Sequence, residues 1–279
     1  MSGTVRIGGQ ALADGVLMRT ERAWAIARAD GTVEVGAVPR RRFAKVPVVR
    51  FLVGLVSAFA LAVNRGLLGR GSRVPRSAAA RRGNLRFLAA LAGVEVLAWA
   101  VSSWLDPRVG GRLGGIFVSA VPWVVALAGL RLAAPAALWR YHGAEHKAVA
   151  AHEAGVAMDD LPAVLASPRV HDRCGTNLVV VVMVAGVVLA GLPGWIELPA
   201  FLVLMASAAE VVTAAAGRPR SPLSRAVLAG GRTLQRLVTT AEPTPAEQAV
   251  GCRALAACLA HHQALAAVPQ IVLPEVALA

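Results

Sequence analysis

His142, Glu145 and His146 stand in the string Tyr141-His142-Gly143-Ala144-Glu145-His146-Lys147 with the spacing H-x-x-E-H. On a helix, residues four apart lie on one face, so both imidazoles can reach a single ion. At about 100° per residue, His142 and His146 point to about 0° and 40°, Glu145 to about 300° and Glu153 to about 20°. Glu153 therefore falls on the stripe of the two histidines two turns later, and His152 falls beside Glu145. The reversed-zincin motif of some metallopeptidases has this spacing, with the Glu as general base and a downstream carboxylate as third ligand.

A second constellation follows in His171-Asp172-Arg173-Cys174-Gly175-Thr176-Asn177. His-x-x-Cys before a glycine resembles half of a zinc-binding turn, and a thiolate is a soft ligand. We expect His142 and His146 to bind a divalent cation, zinc by donor type. His171 or Cys174 would complete the set, and Glu145 would activate water. Four accessory residues are expected. Glu153 lies on the ligand stripe, and Glu210 is an acidic group in an apolar run. Gln10 and Arg19, together with Gly9, would line the approach. The competing reading is an amphipathic surface helix over Tyr141–Glu153 whose polar face is rich in His and Glu.

The elements needed to hold these residues can be read from the flanks. Two extended runs around Asp30-Gly31 signal a hairpin, and residues 1–39 read as a small β-rich N-terminal cap. Residues 40–84 read as a basic linker in which Phe51–Val63, about 20 Å long as a helix, is too short for a ~30 Å hydrocarbon core and suits the interface. Leu85–Leu105 and Leu113–Leu130 then read as spans, forming a first helical hairpin over 85–138. Residues 139–177 form the polar loop that carries the metal site. Leu178–Trp195 and Leu198–Ala216, turning at Gly191-Leu192-Pro193-Gly194, make a second hairpin over 178–216. Residues 217–279 form a helical tail, in which Thr244-Pro245-Ala246-Glu247 is a capping box opening a helix to about Ala267. The expected fold class is mainly α: a polytopic membrane bundle of about four spans with the β-rich cap and cytoplasmic helices. Trp139 and Tyr141 are expected at the lipid interface.

Composition agrees with a lipid bilayer as partner. Of the 279 residues 56% are apolar, and 29 basic against 16 acidic residues give a net charge of +13. The arginines crowd beside the apolar runs, which points to topology signals and anionic lipid rather than nucleic acid. Positive-inside orientation puts both termini and the polar loop in the cytoplasm, at the inner membrane. Cys174, Cys252 and Cys258 have no paired spacing and imply no disulfide framework.

The motifs also resemble a family. Gly8-Gly9-Gln10-Ala11 through Gly15-Val16-Leu17-Met18-Arg19, Tyr141–Lys147 with Glu153-Ala154-Gly155, His171–Asn177, and Leu234-Gln235-Arg236-Leu237 with Thr239-Thr240 and Glu242-Pro243 resemble the YqhQ-like family in the same order. Its members are bacterial integral membrane proteins described as predicted metal-dependent enzymes. The resemblance implies a membrane protein with a metal site at His142, Glu145, His146, His171 and Cys174, and it implies no substrate. Asp14 replaces the family's usual Glu, Asp172 its usual Pro, and His152 a common aromatic. Asp172 is expected to hydrogen-bond a ligand imidazole.

Two functional classes follow. One is a membrane metal-dependent enzyme, hydrolytic, acting on an unknown substrate. The other is a membrane scaffold or assembly factor whose metal ties the loop to the cap. A transporter built on Glu95 and Glu210 is disfavoured by four spans without a repeat.

Overall fold

The computed structural model describes residues 5–38, 57, 60–61, 63–64, 78–105, 108–109, 111–189, 194–218 and 220–267. Most of the segment expected as an interfacial helix (Phe51–Val63) and most of the Gly191–Gly194 turn lie outside them.

The N-terminal residues form a four-stranded antiparallel sheet, β1 (Gly8–Leu12), β2 (Gly15–Arg19), β3 (Ala23–Arg28) and β4 (Val33–Ala37), in the order β1-β2-β3-β4. Asp30-Gly31 turns β3 into β4, with Gly31 at φ 88° and the Asp30 carboxylate accepting from the Thr32 amide at 2.9 Å. β3 is buried on both faces, whereas β4 alternates between exposed and half-buried residues. Leu12, Leu17, Trp24 and Ile26 pack together on one face of the sheet. Val16, Met18, Ala23, Ala25 and Ala27 on the other join Tyr141, Ala148, Val149, Val250, Leu255 and Cys258 in the main core.

Eight helices follow among the described residues: α1 (Ala78–Leu105), α2 (Gly111–Ala133), α3 (Ala136–Glu153), α4 (Leu161–Ala166), α5 (Thr176–Leu189), α6 (Gly194–Gly217), α7 (Pro222–Leu234) and α8 (Pro245–Ala267). A π-helical turn, Gln235–Thr239, extends α7. α3 packs on β1 and β2, and α8 covers β2, β3 and β4 while also packing on α3. α1 pairs with α2 and α5 with α6, and α7 rests on α5 and α6. The capping box at the start of α8 is formed, with the Thr244 amide donating to Glu247 at 2.9 Å and the Glu247 amide donating back to the Thr244 hydroxyl at 3.3 Å.

The four-span bundle is not supported. Among the described residues one helix, α1, is long and apolar enough to cross a membrane, through Leu88–Leu105. Its Val96, Leu97, Trp99 and Trp104 face outward. α2 qualifies only when joined to α3 across a bend of 98°. Among the described residues α5 has 14, about 21 Å and short of a bilayer core. Hydropathy counts apolar residues whatever they touch, and part of this apolar surface is spent on neighbours: Val181 of α5 and Val212 and Ala215 of α6 pack on Leu228 of α7. Trp139 and Tyr141 are not interfacial aromatics either; each is 4% exposed, within the protein.

Candidate metal centre

α3 begins after Pro135, whose fixed φ suits a helix start and whose missing N–H costs nothing there. The helix is buried on nearly every side, including Glu145, His146 and Lys147, so it is not a surface helix with a solvated polar face. The sheet takes one flank and α8 another. Across a third runs the strap Thr239–Pro243, which approaches so closely that a Cβ on Gly143 would meet the Ala241 carbonyl oxygen at 2.1 Å. Only glycine admits that crossing. The Ala241 amide bonds the Trp139 carbonyl at 2.9 Å and seats the strap.

The strap and a loop before it fix both rings. His142 Nδ1 donates to the Thr239 carbonyl at 2.7 Å and His146 Nδ1 to the Arg169 carbonyl at 2.7 Å. Because a carbonyl can only accept, each Nδ1 carries a proton, and in the neutral ring that leaves the Nε2 lone pair for a ligand. The two ring centroids are 4.4 Å apart. Burial, aided by the neighbouring His142, pushes the His146 pKa down, with Cys174 and the Arg169 carbonyl opposing, and so favours the neutral ring a metal requires.

Cys174 arrives on a tight turn in which its amide bonds the His171 carbonyl at 3.2 Å. Its Sγ lies 3.4 Å from His142 Nε2 and receives the Thr176 amide at 3.4 Å. One donor atom each from His142, His146 and Cys174 lies within 4.8 Å of the others. Donors on one tetrahedral zinc are about 3.5 Å apart, a spacing that small side-chain rotations would reach. The donor set of two imidazoles and a thiolate fits zinc and leaves a fourth position open.

His171 does not join this trio. Its Nδ1 accepts the Arg173 amide at 3.3 Å, its Nε2 faces Glu153 at 3.2 Å, and its ring centroid is 6.0 Å from that of His146. Burial pushes its pKa down, against the pull of Glu145 and Asp172. Glu153, on the expected ligand stripe, instead binds His171 and Arg173.

Glu145 is 6% exposed and makes no hydrogen bond among the described residues. Burial raises its pKa, with His142 and His171 opposing. Its carboxyl lies against Gly9 of β1 and borders a cavity of about 470 Å³ that also meets the metal trio, His171, Arg173 and Trp139.

The remaining expected residues are scattered. Gln10 borders the cavity, yet it lies opposite Leu17 and so shares that residue's face, the one turned away from Gly9's neighbour Glu145. Arg19 ends β2 and does not border the cavity, nor does Glu210, which is exposed on α6. Asp172 turns away from the imidazoles, accepting two bonds from Arg232 at 2.7 and 2.8 Å.

Sequence reasoning missed the residues that hold the Cys174 turn. Gln235 is fully buried, accepts the His171 amide at 2.8 Å and donates to the His171 carbonyl at 3.1 Å. Asn177 donates to the Asp172 carbonyl at 2.6 Å, and Arg169 to the Thr240 carbonyl at 3.1 Å. Gln235, Thr239 and Thr240 stand in strings that carried only the family resemblance, and nothing in their spacing linked them to the site.

No curated protein and no solved structure matches the chain. Residues 123–261, which contain α3, the Cys174 turn, the strap and most of α8, match the family model described as "Protein of unknown function (DUF1385)".

Proposed function

We propose that the chain is a membrane-anchored, metal-dependent hydrolase. The observation that carries this reading is the convergence of His142, His146 and Cys174 beside a buried Glu145 at the wall of one cavity. A divalent ion held there, zinc by its donors, would supply Lewis acidity and lower the pKa of water. Glu145 takes the proton from the attacking water and returns it to the leaving group; burial raises its pKa and so makes the carboxylate a stronger base. The Thr239 and Arg169 carbonyls keep the two imidazoles in the ligating tautomer.

The open ligand set favours catalysis over a scaffold, since a structural zinc is closed by four protein ligands and His171 is engaged with Glu153. The outward apolar face of α1 supports the anchor, and arginine-rich flanks support placing the site at the cytoplasmic face of the inner membrane. The motifs shared with the YqhQ-like family agree with this reading.

Metal analysis of the purified full-length chain tests it. We expect about one zinc per chain, lost in His142→Ala and Cys174→Ala and kept in Glu145→Gln and His171→Ala. A chain that holds no ion after zinc loading, or that loses it only with His171, would refute the assignment.

A further inference from the structure

The cavity meets five consecutive residues of the N-terminal segment, Ile7, Gly8, Gly9, Gln10 and Ala11. A cavity on one face of a strand would meet alternate residues, because successive side chains point to opposite faces. Contact with every residue in turn fits a cavity that reaches the backbone edge of β1. That edge is the outer one of the sheet, since β1 pairs only with β2 among the described strands.

The ladder shows which backbone groups are free there. The Thr20 amide donates to the Ala23 carbonyl at 2.8 Å and the Ala29 amide to the Asp14 carbonyl at 2.9 Å. Alternation then turns Gly15, Leu17 and Arg19 toward β1, where they face Leu12, Gln10 and Gly8. Gly9 and Ala11 are left with their N–H and C=O groups pointing away from β2, along the cavity. Beside them Trp139, 4% exposed and lining the same cavity, has an indole N–H with no hydrogen-bond partner. Apolar Ile7, Leu138 and Val149 complete the walls.

From this geometry we infer the substrate class: an extended polypeptide segment that adds to the free edge of β1 as a further strand, bonding Gly9 and Ala11 and bringing one peptide carbonyl to the His142, His146 and Cys174 centre. Strand addition gives main-chain affinity without sequence restriction, while apolar walls select side chains at alternate positions. The inference rests on the hydrolytic reading above. In the reaction the amide C–N bond breaks and a C–O bond to water forms. Glu145 carries a water proton to the departing nitrogen, so the products are a carboxylic acid and an amine, without redox change.

The test uses the full-length chain in detergent and a pool of acetylated, amidated hexapeptides randomised over Ala, Val, Leu, Thr and Ser. Amide hydrogen exchange is followed in zinc-loaded and chelator-treated protein. We expect saturating pool to slow exchange at Gly9 and Ala11 at least tenfold and to leave Gly8 and Gln10, already bonded to β2, within twofold. A pool N-methylated at alternate amides should give no protection. Ala11→Pro, which removes one outward N–H and keeps the β1–β2 ladder, should weaken retention of the pool at least tenfold with unchanged zinc content. Unchanged exchange at Gly9 and Ala11 with the unmethylated pool, or equal protection by the methylated one, overturns the inference. Because the chelated arm reports on the edge alone, a zinc-binding chain without edge protection sinks this proposal and spares the hydrolase. Edge protection in a chain that never binds zinc keeps peptide docking on β1 but overturns the hydrolase, and with it the peptide's place as substrate.

Discussion

A Cβ built on Gly9 would fall 2.6 Å from the carboxyl carbon of Glu145. The N-terminal sheet and the site helix α3 thus meet at the one carboxylate among the described residues that faces the cavity, and the absence of a side chain on Gly9 leaves room for it.

Gly9→Ala should therefore act through Glu145. Alanine accepts an extended backbone, so the cost is overpacking, about 1–3 kcal/mol. In the background of Glu145→Ala, which removes the obstructing group, the same substitution should cost less than about 0.5 kcal/mol. Denaturant midpoints of the four proteins give the coupling, and an additive cycle would show that the two residues do not press on each other.

The three cysteines should differ in reactivity. Cys174 is half-buried at the cavity, whereas Cys252 and Cys258 are buried in α8, and burial pushes the Cys258 thiol up to about 11. Alkylation of the folded chain followed by peptide mass spectrometry should modify Cys174 alone, more slowly with zinc present and faster after chelation. Cys252 and Cys258 should react only once the protein is unfolded. Zinc-independent labelling of Cys174 would separate it from the ion.

Gln235→Leu should loosen the Cys174 turn. It leaves the His171 amide and carbonyl without their partner, at a cost of about 2–4 kcal/mol, and should weaken zinc binding by about tenfold or more. Competition with a chelator of known affinity measures the second effect. Arg232→Lys, which replaces two bonds to Asp172 by one, should shift both quantities in the same direction by less.

Acid should undo the start of α8. Burial works to raise the Glu247 pKa, but the Thr244 amide, Arg140 and the Thr244 hydroxyl outweigh it and hold the carboxyl below its ordinary value of 4.5. A lowered folded pKa means stability that is fully present above about 4.5 and lost as pH falls through the depressed value. Glu247→Gln should cost about 1 kcal/mol at neutral pH and flatten the stability profile below pH 4.5. Equal acid slopes in the two proteins would remove Glu247 from that role.

Local chemistry was legible in the sequence wherever a few neighbouring residues decide the outcome. The H-x-x-E-H spacing put His142 and His146 on one face because helix geometry repeats every turn. Asp30-Gly31 closed a hairpin, and Thr244 with Glu247 capped α8. Tertiary structure alone decided the rest. Cys174 rather than His171 completes the trio because Gln235, more than sixty residues away, grips the His171 backbone and Glu153 takes its ring. The apolar runs were equally plain in sequence, yet whether such a run meets lipid or another helix depends on how the chain folds back. Residue spacing fixes angles around one helix; which helices become neighbours is set by packing over the whole chain.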